Sequence, residues 1–223
     1  MTSRRVAIYG GTFDPVHNGH LEVARGVLKL FELDQIIFVP ACVPPHKRNA
    51  KLTSPFHRFA MLALATEMDQ HLLVSTVELD APDRPYAVDT VERMRAEVGV
   101  ESELFFLVGA DSWLEIKTWR DWQRLLTLCN FIVMARPGYE LTGEVIGDMP
   151  VPVLNVLGQG CRQWDMMKMP NASPHVYLTD AVQLNISAVQ IRAALKAGDV
   201  AGAAEMLPAQ VAAYIQKHRL YID

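Results

Sequence analysis

Residues 10 to 20 read Gly10-Gly11-Thr12-Phe13-Asp14-Pro15-Val16-His17-Asn18-Gly19-His20. They follow the apolar run Val6-Ala7-Ile8-Tyr9 and precede a helical pattern from about His20 to Phe31, where Leu21, Ala24, Leu28 and Phe31 share one stripe. A strand that enters a glycine turn and then a helix start points backbone N–H groups and a positive dipole end above the sheet, where phosphate is the usual occupant. His17 and His20 lie three residues apart at the mouth of that helix. That spacing puts both on one face, where both can hydrogen-bond one anion. As a metal site the pair lacks a third ligand at recognisable spacing and the H-E-x-x-H arrangement, so no metal site is predicted.

Strand and helix patterns alternate outward from this stretch. Strands are predicted at Gln35 to Pro40, Leu72 to Val77, Glu103 to Val108, Phe131 to Ala135, Val151 to Leu157 and Val176 to Leu178. Helices are predicted from Ser54-Pro55 to about Met68, near Val88 to Glu97 with a stop at Gly99, over Asp111 to Leu128, and near 188–197, 199–206 and 209–218. Short connections between alternating β and α units imply an α/β fold with a mostly parallel sheet covered on both faces, in one domain over 1–223 with a helical C-terminal part from about 186. Ligands of such sheets sit beyond the carboxyl ends of the strands, where the first motif, Gly109-Ala110-Asp111 and the loop after Leu178 all fall.

Half of the 223 residues are hydrophobic, 21% are charged and the net charge is −4, which describes a globular chain with a full core. The balance argues against a general binder of nucleic acid or anionic membrane, so neither is expected as a partner; any polyanion site is local. Cys42, Cys129 and Cys161 are odd in number and widely spaced, which predicts reduced thiols, not a disulfide framework. No secretory h-region opens the chain and no apolar run reaches 18 residues, so a cytoplasmic setting is expected, with the oligomeric state left open.

A second phosphate seat is predicted at Asn185-Ile186-Ser187-Ala188-Val189-Gln190-Ile191-Arg192. Ser187 with Gln190 three residues on is a capping-box pattern, so Ser187 opens a helix whose N-terminus is free for an anion. Arg192 follows in the first turns, where its fork reaches a phosphate oxygen.

The first motif resembles the H-x-G-H box of the nucleotidylyltransferase superfamily, and Ile186 to Arg192 resembles its I-S-x-x-x-I-R box. Within that superfamily, Val43-Pro44-Pro45-His46-Lys47, Pro85-Tyr86, Gly109-Ala110-Asp111-Ser112, Thr118-Trp119, Arg136-Pro137-Gly138-Tyr139 and Asn185-Ile186-Ser187 look like the bacterial nicotinate-nucleotide adenylyltransferases, in order and spacing. Residues 141 to 174 carry no such motif. The resemblance implies a Rossmann-like fold and transfer of the adenylyl group of ATP to nicotinic acid mononucleotide, giving deamido-NAD and pyrophosphate in NAD biosynthesis. Rival readings are adenylation of nicotinamide mononucleotide or phosphopantetheine, or a non-catalytic nucleotide sensor.

On that resemblance His17, His20, Lys47 and Arg192 are the catalytic residues, and Gly10, Gly11, Thr12, Phe13, Gly19, Ile186 and Ser187 bind ATP. Gly10 and Gly11 would allow close backbone approach, and Gly19 would give the second histidine room. Asp14 would sit near the reacting phosphates, and Lys47 would move over them from a basic loop whose bland alternative is a solvated face. Asp111 would accept from a ribose hydroxyl or cap the following helix. Trp119 would stack on the pyridinium ring, whereas Trp113 and Trp122 read as core. Tyr86, Ala87, Gly109 and Arg120 complete the implied mononucleotide site. This chain has Ala87 where the family often has a threonine for the nicotinate carboxylate, leaving that contact to the backbone N–H groups of Ala87 and Arg120; Val189 likewise stands in for a threonine. Mg²⁺ is expected to arrive with ATP, with no dedicated acidic cage.

Overall fold

Val6, Ala7 and Ile8 are consecutive and all fully buried, as a strand covered on both faces requires. They belong to β1 (Arg5–Gly11), the centre of a parallel sheet in the computed structural model, which describes residues 3–42, 52–81, 85–135, 149–155, 174–180 and 186–222. The other strands are β2 (Gln35–Pro40), β3 (Leu72–Val74), β4 (Glu103–Gly109), β5 (Asn130–Met134), β6 (Val153–Asn155) and β7 (Val176–Thr179). Their order is β3-β2-β1-β4-β5-β7-β6, every neighbouring pair parallel.

The helices are α1 (Asn18–Leu30), α2 (Pro55–Thr66), α3 (Ala87–Val98), α4 (Ala110–Leu114), α5 (Trp122–Leu128), α6 (Ala188–Lys196), α7 (Val200–Glu205) and α8 (Ala209–His218). Alternation along each strand divides them into two layers. Ala7, Phe105 and Ile132 face α1, α2 and the C-terminal helices, through Ala24, Met61, Ile191 and Ile215. Val6, Ile8, Phe106 and Val133 face α3 to α5, through Val91, Met94, Trp113 and Leu125. The C-terminal helices therefore share one core with the first strand and helix, and sit against α2, where His57 Nδ1 and the Tyr214 hydroxyl are 2.9 Å apart.

From β1 the chain runs outward to β2 and β3, then crosses back through α3 to place β4 on the other side of β1. At that switch point the carboxyl ends of β1 and β4 separate and open a crevice. The two layers meet along its walls.

The predicted elements are present with four corrections. The segment 111–128 is not one helix: α4, a 3₁₀ turn at Ile116–Thr118 and α5 replace it, with Asp121 in the left-handed region at φ 50°. At about 100° per residue, one continuous helix would turn Trp113 away from Leu125 and Leu126 by roughly 120° or more. All three are fully buried on the same side of the sheet, and breaking the helix is what allows it. The third strand stops at Val74 because the Ser75 hydroxyl accepts from Val77 N–H (3.1 Å) and turns the chain. The strand predicted at Val151 to Leu157 starts at Val153 and runs to Asn155, with 156–157 outside the described residues, and α2 ends at Thr66, ahead of the exposed Met68. Gly99 stops α3 as expected, at φ 91°.

Candidate active site

β1 ends at Gly10 and Gly11, paired with Val39 and Pro40, and six residues after Gly11 the chain reaches His17 at the N-terminus of α1. Phe13 takes left-handed backbone at φ 49° and is buried, its ring edge-on to His20 at 5.0 Å and to Tyr9 at 5.5 Å. Such a conformation is costly for a bulky residue and persists where packing fixes it, as it does here. His17 is the N-cap of α1, in extended backbone. The His17 N–H donates to His20 Nδ1 (3.2 Å) and the two rings stack at 3.7 Å and 30°. With Nδ1 accepting, the neutral His20 ring carries its proton on Nε2, a donor on the far edge.

Gly19 explains how the rings fit. A Cβ there would lie 3.0 Å from His17 Nδ1 and 3.6 Å from the Cβ of Ile186. The room therefore serves the first histidine, not the second as the motif implied, while Ile186 of the second box lies at ordinary contact distance. Asn18 N–H donates to Met206 O (3.0 Å) and Asn18 Nδ2 to Glu205 O (3.2 Å), fastening the start of α1 to the C-terminal helices.

Ser187 caps α6 as predicted: its hydroxyl accepts from Gln190 N–H (3.3 Å), and Ser187 N–H donates to Gln190 Oε1 (2.9 Å). Arg192 is half-buried and donates through Nη1 to the Asp14 carbonyl (2.7 Å), so the two boxes are in direct contact. Asp14 is 3% exposed. Its Oδ1 accepts from the Tyr221 hydroxyl (2.6 Å) and its Oδ2 from Thr53 N–H (3.3 Å). The carboxylate implied to sit near the reacting phosphates therefore has a protein donor on each oxygen.

Arg58 of α2 is fully buried and donates to three backbone carbonyls: Thr12 (2.7 Å), Cys42 (3.0 Å) and Thr53 (3.0 Å). Burial lowers its pKa from the ordinary guanidinium value, and the charge of Asp14 opposes that. Glu78 accepts from Cys42 N–H (3.3 Å) and the Thr90 hydroxyl (2.8 Å); burial holds its carboxyl above the ordinary range, the two hydrogen bonds working against it.

On the β4 side, Gly109 is the N-cap of α4 and Asp111 lies exposed in its first turn, so the capping alternative for Asp111 does not hold. Tyr86 caps α3, its N–H donating to Asp89 Oδ2 (2.9 Å), and Ala87 is the first helical residue. The Arg120 guanidinium lies 4.8 Å above the Tyr86 ring. Trp119 is half-buried, edge-on to Phe106 at 6.4 Å, and its buried Nε1 has no acceptor among the described residues. Trp113 is wholly core; Trp122 is half-buried against the same layer.

Residues 8–194 match the cytidylyltransferase-like family model. A protein of Citrifermentans bemidjiense named "probable nicotinate-nucleotide adenylyltransferase" is 36% identical over 98% of this chain and 99% of its own length. One of the same name from Thermoanaerobacter sp. is 37% identical over 97% and 94%. The chain belongs to the nicotinate-nucleotide adenylyltransferase family. The solved Plasmodium falciparum nicotinic acid mononucleotide adenylyltransferase, complexed with NaAD, shares the fold at a TM-score of 0.73 and 19% identity, over 98% of this chain and 97% of that one.

Of the family motifs, the H-x-G-H box and Gly109 to Ser112 follow the ends of β1 and β4, Ile186 to Arg192 meets the first box through Arg192 and Ile186, and Tyr86 lies under Arg120, next to Trp119 in sequence. Lys47 with its basic loop, Arg136 to Tyr139, Asn185 and most of 141–174 lie outside the described residues. Three residues that this adenylyltransferase fold builds into the site escaped the sequence reading: Arg58, Glu78 and Tyr221. Arg58 had a signal. It occupies the buried stripe of α2 with Met61, Leu62 and Thr66, where a charge calls for fixed partners. Tyr221 had none, being 207 positions from Asp14.

Proposed function

We propose that this chain transfers the adenylyl group of ATP to nicotinic acid mononucleotide, yielding deamido-NAD and pyrophosphate. The observation that carries this reading is the stacked His17–His20 pair at the N-terminus of α1, joined to the Ser187-capped α6 through the Arg192–Asp14 bond. Two helix N-termini, two imidazoles and a guanidinium suit a triphosphate better than any smaller anion.

The attacking group is a phosphate oxygen of the mononucleotide, ionised at neutral pH because its second pKa is about 6, so no general base is needed. It attacks the α-phosphorus in line. One P–O bond forms as the bond to pyrophosphate breaks, with no covalent enzyme intermediate. His20 through Nε2, His17 and Arg192 stabilise the charge on the α-phosphoryl group and the departing pyrophosphate; Lys47 joins them on family resemblance alone. Asp111 and Gly109 at the end of β4 hold the mononucleotide ribose, with Trp119 beside the pyridine ring.

The donors around α1 are imidazole and backbone nitrogen, and both oxygens of Asp14 are engaged, a set suited to phosphate and not to caging a cation. Mg²⁺ would accordingly be held by ATP and water and not by a protein cage, and would supply charge neutralisation. For the nicotinate carboxylate, the N–H of Ala87 is among the first-turn donors of α3 without an intrahelical acceptor, and the Arg120 cation sits beside Tyr86. Both favour the acid over the amide. A cytoplasmic setting fits the free thiols of Cys42 and Cys129, and no helix among the described residues is long and apolar enough to cross a membrane.

The test is a pyrophosphate-release assay with nicotinic acid and nicotinamide mononucleotides in competition. The acid is expected to win, and His20→Ala to lower kcat by roughly 10² to 10³ while leaving the fold intact by circular dichroism. Preference for the amide refutes the substrate; a fully active His20→Ala chain refutes the mechanism.

A further inference from the structure

The last turn of the chain reaches the site, and nothing in the phosphate boxes accounts for it. Arg219, at φ 53°, is an ordinary left-handed helix stop: the N–H of Leu220 returns to Ile215 O at 3.1 Å. Tyr221, at φ 66°, is not part of that cap. A bulky residue takes such backbone only where its surroundings hold it. What holds Tyr221 is its ring, packed against the layer shared by α1 and α6, and its hydroxyl, which donates to Asp14 Oδ1 at 2.6 Å. Burial, and after it the Asp14 charge, pushes the phenol well above its ordinary value of 10, so it stays a donor throughout the neutral range.

Asp14 is the point where three remote segments meet the first motif. One carboxylate oxygen takes Tyr221, the other takes Thr53 N–H, and its carbonyl takes Arg192. Three residues further on, His17 begins α1. With its side chain held from both sides, the Asp14 peptide has one orientation, and its carbonyl aims the Arg192 guanidinium. We propose that Tyr221 is a positioning residue for adenylyl transfer, acting through Asp14 to fix Arg192 against the triphosphate. The C-terminal residues are thereby part of the site's framework.

This rests on the adenylyl-transfer reading above. The test compares the full-length chain with Tyr221→Phe, which keeps the ring and removes only the hydroxyl, in the pyrophosphate-release assay at 10 °C and 25 °C with folding followed by circular dichroism. Misplacement of a catalytic group by about 1 Å costs up to 10² in rate, so kcat is expected to fall about tenfold or more. KM for ATP and for the mononucleotide stays within about threefold, because the hydroxyl touches protein and not nucleotide. In an Arg192→Lys background the same change costs less than about threefold, since the group it aims is already altered.

Wild-type kcat in folded Tyr221→Phe overturns the proposal, and so does an equal tenfold loss in both backgrounds. A Tyr221→Phe chain unfolded even at 10 °C also overturns it, because the hydroxyl would then decide the fold and not the site. An inactive wild-type chain would strike down the adenylyl-transfer reading as well, which keeps the two failures apart.

Discussion

Replacing Gly19 with alanine separates what α1 needs as a helix from what it needs as a phosphate site. As a helical residue, Ala is favoured over Gly by up to about 1 kcal/mol. As a neighbour of His17 it is crowded: the new Cβ would stand 3.0 Å from Nδ1 and 3.1 Å from Cε1. Carbon contacts settle at about 3.5 to 4.0 Å, so the ring must yield by roughly 0.5 Å. His17 has little room to yield, being 6% exposed and stacked on His20 at 3.7 Å. The propensity gain and the crowding roughly offset, which leaves the melting temperature within about 4 °C of wild type. The displaced ring is expensive in rate. If about 1 Å costs up to 10², then about 0.5 Å costs near tenfold in kcat. Pyrophosphate release at saturating substrates and a thermal melt on the same preparation test both halves. A more stable Gly19→Ala chain with wild-type kcat would show that the His17 ring has no fixed place in the transition state.

Two further substitutions probe the framework. Ser187→Ala removes the acceptor for Gln190 N–H and should cost about 1 kcal/mol, seen as a melting temperature lower by about 2 to 4 °C, together with a rise in KM for ATP; an unchanged melt would mean that the cap contributes nothing. Glu78→Gln reports on the buried carboxyl. Because the folded state raises the Glu78 pKa above its ordinary 4.5, the folded chain holds that proton more tightly than the unfolded one, and wild type loses stability as pH rises above 4.5. Glutamine lacks this loss, so the stability of Glu78→Gln relative to wild type should increase from pH 5 to pH 8, measured by denaturant melts. A difference that is flat or falls with pH would contradict the desolvation argument.

The sheet was legible because its strands are buried on both faces and therefore read as apolar runs, and because glycine and proline mark most of the connections. The segment after β4 was misread as one helix because Trp113, Ile116, Leu125 and Leu126 are all apolar; the break at Asp121 answers a demand of the core that local periodicity does not carry. Both phosphate seats were legible for a local reason: each is one strand end or cap within a dozen residues. Their junction was not. The Arg192–Asp14 bond spans 178 positions and the Tyr221–Asp14 bond 207, and no local pattern encodes either. Asp14 shows the limit most clearly, since its identity within the motif was plain while the direction of its side chain depended on the far end of the chain.

Arg58 ties Thr12, Cys42 and Thr53 to one buried cation, so the two points where the intervening basic segment leaves and rejoins the fold are fixed to the phosphate motif itself. Closing a loop between fixed ends costs little more as it grows, about 0.6 kcal/mol for each doubling of length. The ends of this segment at Cys42 and Thr53 are thus held to Thr12 independently of what lies between them, so a change of length between 43 and 51 need not shift Thr12 or the helix that follows, while the family motif Val43 to Lys47 restricts its sequence.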